Sequence, residues 1–318
     1  MLDLNNRLGG PNLIVTAKTA HKVHFLDAAT LTISATLQMP GSTHEMALSA
    51  DGRTIYATIY GDGIFGRNKN PDRRIAVIDL ASKSLFRTID VGGTFAPHGI
   101  MMDEDGTVWS SGELGGAVLA IDPEASRVDR IDVGATAHWV AVSHKLGKVF
   151  ASCKRSEIVV VDRLHRKPID RIAMPSVTEG LAIAPDGETL YVCSQARPEF
   201  YVVDGTRHAV RRTVPIDGDA GSVPQMRRVR VSPDARHVVV STNKDAHAAI
   251  FAGDDLSQIA AFPTKASPMG FGFAADGKHA WLCCHDDAEV LEFELATGRV
   301  VRSFATAAGC EFILGYLA

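Results

Sequence analysis

Short apolar runs recur along the whole chain, and turn signals separate them. A run such as GIMMD leads into a turn signal, and a second run such as TVWSSGE follows it, as in a β-hairpin with an Asp-Gly turn. No helical periodicity of adequate length competes with this pattern, so an all-β chain is predicted. The turn signals are SADG (49–52), DEDG (103–106), HKLG (144–147), APDG (184–187), SPDA (232–235) and AADG (274–277).

Each hairpin is followed by two further strands, which gives a four-stranded unit repeated every 40–50 residues or so. Six complete units run from about residue 41 to 306. The remaining segments, 12–40 and 307–318, supply three strands and one strand of a seventh unit. The chain is therefore predicted to be one domain, residues 1–318, folded as a seven-bladed β-propeller that strands from both termini close.

The composition and charge of the chain argue against some classes of binding partner. Hydrophobic residues make up 46% and charged residues 22%, as in ordinary globular proteins. The net charge of −4 argues against a nucleic-acid partner. No apolar run approaches the roughly 20 residues that cross a bilayer, and the start MLDLNNRLGG lacks the features of a secretory signal. We expect a cytoplasmic protein with a small-molecule substrate and neither nucleic acid nor membrane as partner. The sequence does not indicate the oligomeric state.

Five cysteines are present and none forms a CxxC pair, which argues against a disulfide framework or a zinc ribbon. Four of them lie in apolar strand-like runs. We expect these four to be buried and to act as small hydrophobic residues.

The repeat aligns one position at the start of the innermost strand of every blade, seven residues before the turn Asp or its equivalent. In a propeller this position lies at the mouth of the central channel, so the seven side chains should surround the axis. We call this predicted set the axial ring: Cys310, His44, His98, His138, Glu179, Arg227 and Met269.

Four successive blades of the ring contribute imidazoles or a carboxylate. These groups ligate zinc, manganese, iron or copper, and a carboxylate also suits magnesium. The sequence thus predicts a divalent metal held by His44, His98, His138 and Glu179. Two alternatives remain open. The same side chains would also suit an anion or substrate site without metal, or a hydrogen-bonded plug in a wet channel.

A long loop in blade 2, residues 60–74, should lie on the same face as the ring. Long loops in compact domains are often lids, so Phe65 and Arg67 are candidate substrate contacts. A surface excursion or a dimer contact is the alternative. The loop contains GDGIFG, but a strand follows it. We therefore reject a dinucleotide fingerprint, which requires a helix at that point.

The connection 218–228 is the other expanded loop on this face, and it brings Gln225, Arg227 and Arg228 near the ring. A guanidinium beside a metal would suit a carboxylate substrate. A salt bridge between Arg227 and Glu179 is the alternative.

Polar residues also end the second strand of six blades. Any of them can serve as a general acid or base, with Glu113 and His285 the foremost candidates and Tyr60 and Arg227 as further catalytic candidates. The alternative for most is a solvated loop residue. No GxSxG elbow, P-loop or HExxH motif is present. The six residues are Tyr60, Glu113, Lys154, Gln195, Lys244 and His285.

Two resemblances add to these expectations. The pattern PDGxxLYV followed by VVD resembles the YVTN-repeat family of seven-bladed propellers over nearly the whole chain. The stretch PHGIMMDEDGTVW (97–109) is similar to virginiamycin B lyase-type propeller lyases. That similarity implies a metal and a catalytic histidine at the channel mouth, and it carries over directly to His98 alone.

Ring and resemblance together favour a metal-dependent lyase or isomerase that acts on a small anionic or carbonyl-containing molecule. A metal-dependent hydrolase such as a lactonase is one alternative. A non-catalytic propeller that binds a protein or small ligand is the other.

Overall fold

The computed structural model describes residues 10–63, 67–93, 95–217, 225–242 and 246–317. Within these ranges, 28 strands form seven antiparallel sheets of four strands each. The same part of the chain contains no helix long and apolar enough to cross a membrane. The arrangement is the predicted seven-bladed β-propeller.

Six blades follow the chain, each from its innermost to its outermost strand. Blade 2 consists of β4 (Thr43–Leu48), β5 (Thr54–Gly61), β6 (Pro71–Asp79) and β7 (Ser84–Asp90). Blade 3 consists of β8 (Pro97–Met102), β9 (Val108–Gly112), β10 (Ala117–Asp122) and β11 (Arg127–Asp132). Blade 4 consists of β12 (Trp139–Ser143), β13 (Lys148–Ser152), β14 (Glu157–Asp162) and β15 (Lys167–Ala173). Blade 5 consists of β16 (Thr178–Ile183), β17 (Thr189–Ser194), β18 (Glu199–Asp204) and β19 (Ala209–Pro215). Blade 6 consists of β20 (Met226–Val231), β21 (His237–Thr242), β22 (His247–Ala252) and β23 (Gln258–Pro263). Blade 7 consists of β24 (Pro268–Phe273), β25 (His279–Cys284), β26 (Glu289–Glu294) and β27 (Val300–Ala305).

Blade 1 is built from both ends of the chain, as predicted. Its innermost strand is the last one, β28 (Cys310–Tyr316), and its outer strands are β1 (Asn12–Ala17), β2 (Lys22–Asp27) and β3 (Ile33–Gln38). Leu314 of β28 lies opposite Ile14 of β1 in an antiparallel ladder. Pairing the two termini leaves no open sheet edge at the point where the ring closes.

Burial falls from the axis outward. All six residues of β4 are buried, because both faces of an innermost strand contact neighbouring blades, whereas in the outermost β3 intermediate and exposed positions alternate after an exposed start. The apolar clusters lie between adjacent blades; Met46 of blade 2, for example, belongs to the same cluster as Phe312 of blade 1. The five cysteines are free and buried, which agrees with the expectation for four of them.

The turn between the first two strands of a blade needs a residue in the left-handed region. Glycine supplies it in blade 2, where Gly52 has a φ of 73° with no atom within 4 Å of a hypothetical Cβ. Blade 6 has Ala235 in this place, with a φ of 59°. A residue with a Cβ is strained there by roughly 1–2 kcal/mol, so the turn of blade 6 is less stable than the glycine turn of blade 2.

A β-bulge lies at the start of the innermost strand, at the ring residue, in six of the seven blades, whereas β12 of blade 4 pairs with β13 without a register shift. In β4, Thr43 pairs with Ile59 and Met46 with Ala57, so the strand has one more residue than its partner. Similar shifts occur in β8, β16, β20 and β24. In β28, Cys310 pairs with Ala17 and Phe312 pairs with Thr16, so one extra residue lies between Cys310 and Phe312. The bulged residue is therefore Glu311, and it replaces Cys310 as the seventh member of the ring.

Candidate metal centre

A cavity of about 630 Å³ opens where the innermost strands begin. Second-strand ends and ring residues form its wall. Glu113 is buried behind His138 rather than in the lining, and Arg67 is exposed outside the cavity. Phe65 lies outside the described residues. The predicted site residues that line the cavity are His44, Tyr60, His98, His138, Lys154, Glu179, Gln195, Gln225, Arg227, Arg228 and His285.

Three buried imidazoles stand side by side on blades 2, 3 and 4. The ring centroids of His44 and His98 are 4.2 Å apart, and those of His98 and His138 are 4.1 Å apart. Burial, followed by nearby positive charges, holds the pKa values of His44 and His98 well below the usual range. These two rings are therefore neutral at physiological pH, which is the form that ligates a metal.

Two histidines of this row, His98 and His138, belong to a group of side chains that could hold a metal ion. Nitrogen atoms of His98 and His138 and a carboxylate oxygen of Glu113 all lie within 4.8 Å of one another. Glu113 Oε1 hydrogen-bonds to His138 Nδ1, while His98 Nδ1 is buried without a hydrogen-bond partner. A buried polar atom without a partner is costly, and a cation would satisfy it. Two imidazoles and a carboxylate beside an open cavity fit a divalent metal with a free position for substrate.

A chain of hydrogen bonds holds this group from both sides. Tyr60 donates its hydroxyl to Glu113 Oε2, and burial together with Glu113 raises the pKa of Tyr60, so it remains a donor. On the other side, His138 Nε2 lies 3.0 Å from Glu179 Oε1, and Lys154 donates to Glu179 Oε2. Burial acts to raise the pKa of Glu179, but His138 and Lys154 outweigh it and hold that pKa below the usual range.

The structure therefore places Glu113 and Glu179 in positions that differ from their expected roles. Glu113, expected to be an acid or base, lies within the ligand group, whereas Glu179, expected to be a ligand, contacts the far nitrogen of His138. An ionised carboxylate on the second nitrogen of a ligating histidine fixes the tautomer and orientation of that histidine. Glu179 is suited to that positioning role.

A second group of ligand-type atoms is already neutralised by a cation of the protein. His44, Glu45 and Glu311 have nitrogen and oxygen atoms within 4.8 Å of one another. Arg228 Nη2 lies 2.8 Å from Glu45 Oε1 and 3.2 Å from Glu311 Oε1, and its guanidinium stacks 4.3 Å from the centroid of the Trp139 ring. The guanidinium supplies the charge that a metal would supply. The His98–Glu113–His138 group is therefore the better candidate centre.

The two carboxyl groups that contact Arg228 differ in their protonation. Burial raises the pKa of Glu45 to about 7 even though Arg228 opposes it. Burial acts in the same direction on Glu311, but Lys18, His285 and Arg228 lower the pKa of that group. Glu45 therefore takes up a proton near neutral pH, while Glu311 stays ionised.

The remaining cavity wall is rich in cations. Lys18, Lys154 and Arg227 line it on blades 1, 4 and 6, opposite the row of imidazoles or beside it. His285 Nε2 lies 3.5 Å from Glu311 Oε2, which ties blade 7 to blade 1. Asp62, Glu179, Asp286 and Glu311 line the same wall, so an anionic group would be held by an individual cation such as Arg227 rather than by a net positive field.

Sequence reasoning missed three of these residues, although a signal existed for each. Lys18 ends NLIVTAK in the register in which Lys154 ends KVFASCK. Glu45 directly follows the ring residue His44 and precedes the apolar residues of its strand. Glu311 was missed because the bulge in β28, which shifts the register by one residue, cannot be read from the alignment of apolar residues.

No protein-family model and no curated protein matches the sequence. Solved structures match it closely in shape. Hydrazine synthase of Kuenenia stuttgartiensis has a TM-score of 0.76 at 17% identity, over 93% of this chain and 96% of that chain. A functionally unknown protein from Desulfotomaculum acetoxidans has a TM-score of 0.78 at 12% identity, over 97% and 99%. Periplasmic gluconolactonase of Pseudomonas aeruginosa has a TM-score of 0.78 at 16% identity, over 96% and 99%. At such identities the likeness establishes the fold alone.

Proposed function

We propose that this chain is a metal-dependent enzyme that acts on a small anionic or carbonyl-containing molecule in the axial cavity, as a lyase or isomerase. The observation that carries the proposal is the buried His98–Glu113–His138 group, in which His98 Nδ1 has no partner. A propeller that serves only as a scaffold has no need of convergent imidazoles at the mouth of its channel. Propellers share one fold across many functions, so the argument depends on the site and not on the fold.

The roles of the residues follow from their contacts. His98, His138 and Glu113 would hold the metal, which when bound polarises a substrate carbonyl or lowers the pKa of a water molecule. Glu179 orients His138, and Tyr60 holds the second oxygen of Glu113. On blade 6, Arg227 would bind the anionic group of the substrate and hold it toward the imidazoles.

Metal-dependent lactone hydrolysis is the second candidate. The likeness in fold to a periplasmic gluconolactonase supports it. Two assays separate the candidates on the same preparation. Lactone opening releases a proton, which a pH indicator follows with a panel of sugar lactones. Elimination from a hydroxy or alkoxy acid produces a conjugated alkene, which is followed by its ultraviolet absorbance.

The metal itself is tested first. The protein is purified without a histidine tag, and its metal is quantified by elemental analysis before and after reconstitution with Zn²⁺, Mn²⁺ or Fe²⁺. About one metal ion per chain is expected in the wild type, and a large loss is expected in the His98→Ala/His138→Ala double variant. The control variant is His165→Ala/His279→Ala, which removes two histidines outside the cavity lining. No stoichiometric metal in the wild type, even after reconstitution, would refute the proposal.

A further inference from the structure

Lys18 is a lysine at the wall of the cavity that no prediction included. It directly follows β1 in blade 1, and only 6% of its surface is exposed. Its backbone N–H donates to Gly309 O at 2.7 Å, and the buried strand before it fixes its position. The side chain lines the same cavity as the row of imidazoles. Lys18 therefore borders a space that a substrate would occupy.

Two lysines occupy this register of the repeat, and their surroundings differ. Lys154 in blade 4 donates to the carboxylate of Glu179. Lys18 in blade 1 forms no ion pair at 4.0 Å or less with a carboxylate of the described residues. Its Nζ lies instead 4.9 Å from the centroid of the Tyr60 ring. Lys154 is thus engaged by a structural carboxylate, whereas the Lys18 amine lies near the ring of Tyr60, another residue of the cavity wall.

Burial and the charged groups of several blades act on the pKa of Lys18. Glu311, Glu45 and Glu113 favour the ammonium form, while Arg228 disfavours it. Burial is the largest influence, and it lowers the pKa of Lys18. The neutral amine consequently forms at a lower pH than in an exposed lysine, and the neutral amine is the form that accepts a proton. The titratable and charged groups that face Lys18 are Glu311, Glu45, Glu113, Arg228, Tyr60, His44 and His98.

We infer that Lys18 is the proton acceptor of the cavity, a catalytic base for a substrate with an acidic C–H bond next to a carbonyl. The lone pair of Nζ takes the proton, the amine becomes an ammonium, and the electron pair of the broken C–H bond moves into the carbonyl as an enolate. The role rests on the proposed lyase or isomerase function. Lys18 belongs neither to the axial ring nor to the His98–Glu113–His138 group.

Competitive labelling with trace acetic anhydride tests the amine directly. The intact protein is labelled across a pH series, and the acetylation of each lysine is quantified by peptide mass spectrometry. Exposed Lys167 and Lys278 serve as internal references. The labelling midpoint of Lys18 is expected at lower pH than the midpoints of the two references. A midpoint equal to theirs or higher overturns the inference, and so does an absence of labelling at every pH, because a proton acceptor must be reachable from the cavity.

The metal content of the same preparation separates this inference from the proposed function. An ordinary midpoint with stoichiometric metal overturns the role of Lys18 and leaves the metal proposal intact. A lowered midpoint without metal supports Lys18 as a base and overturns the metal proposal. Lys18→Met supplies a further check, since it should retain the wild-type metal content if Lys18 acts only on the substrate.

Discussion

Glu45 allows a quantitative test of the electrostatics at the axis. Its carboxyl is buried against Arg228 and His44, and burial raises its pKa from 4.5 to about 7. A group whose pKa is higher in the folded state contributes stability that is fully present below the unfolded pKa and is lost as the pH rises through the folded pKa. Glu45 should therefore make the wild type less stable as the pH rises from about 4.5 to about 7. Glu45→Gln removes this dependence.

The magnitude follows from the two pKa values. The full difference corresponds to about 3 kcal/mol, most of which falls between pH 5 and pH 8. The free energy of unfolding of Glu45→Gln minus that of the wild type should thus increase by about 2–3 kcal/mol over this range, whatever its value at pH 5. Comparing the same pair of proteins at two pH values cancels the constant cost of replacing the side chain.

Urea unfolding in the presence of a chelator, at constant ionic strength and several pH values, measures this difference. Glu124→Gln makes the same substitution at an exposed position and serves as the matched control. If the stabilities of wild type and Glu45→Gln change in parallel between pH 5 and pH 8, Glu45 does not carry the proton and the reasoning is refuted.

Three further variants test other parts of the structure. Glu179→Gln should weaken metal binding about 10–100-fold in calorimetric titration, because the carboxylate that orients His138 loses its charge. Gly180→Ala should lower the free energy of unfolding by about 1–3 kcal/mol in urea, because its Cβ would lie 2.5 Å from Arg227 O of the next blade. Ala235→Gly should raise it by about 1 kcal/mol in the same assay, because the turn of blade 6 has a positive φ.

Each of these variants has a contradicting result. Unchanged affinity in Glu179→Gln would mean that His138 is positioned without its carboxylate partner. Wild-type stability of Gly180→Ala would show that the innermost strands of blades 5 and 6 can move apart freely. A loss of stability in Ala235→Gly would mean that the entropy of glycine in the unfolded chain outweighs the relief of strain at this turn.

Much of the architecture was readable because a propeller repeats one local pattern. The turn signals and the apolar runs between them predicted seven four-stranded blades and the closing blade made from both termini. The same register predicted that His44, His98 and His138 share one cavity, and they do. It erred at blade 1, where the apolar alternation pointed to Cys310 and the bulge places Glu311 on the axis. A bulge adds one residue without changing the composition of a strand, so the alternation does not reveal it.

The sequence by itself determined that His44, His98, His138, Glu179 and Arg227 lie at the mouth of the channel, because the repeat ties position along the chain to position around the axis. Only the tertiary structure decided how these side chains pair. It grouped Glu113 with His98 and His138, put Glu179 behind His138, and set Arg228 between Glu45 and Glu311. Pairing depends on distances of a few ångströms between strands that are far apart in the chain, and on burial that strengthens each charge interaction. Neither quantity is encoded in the spacing of residues along a strand.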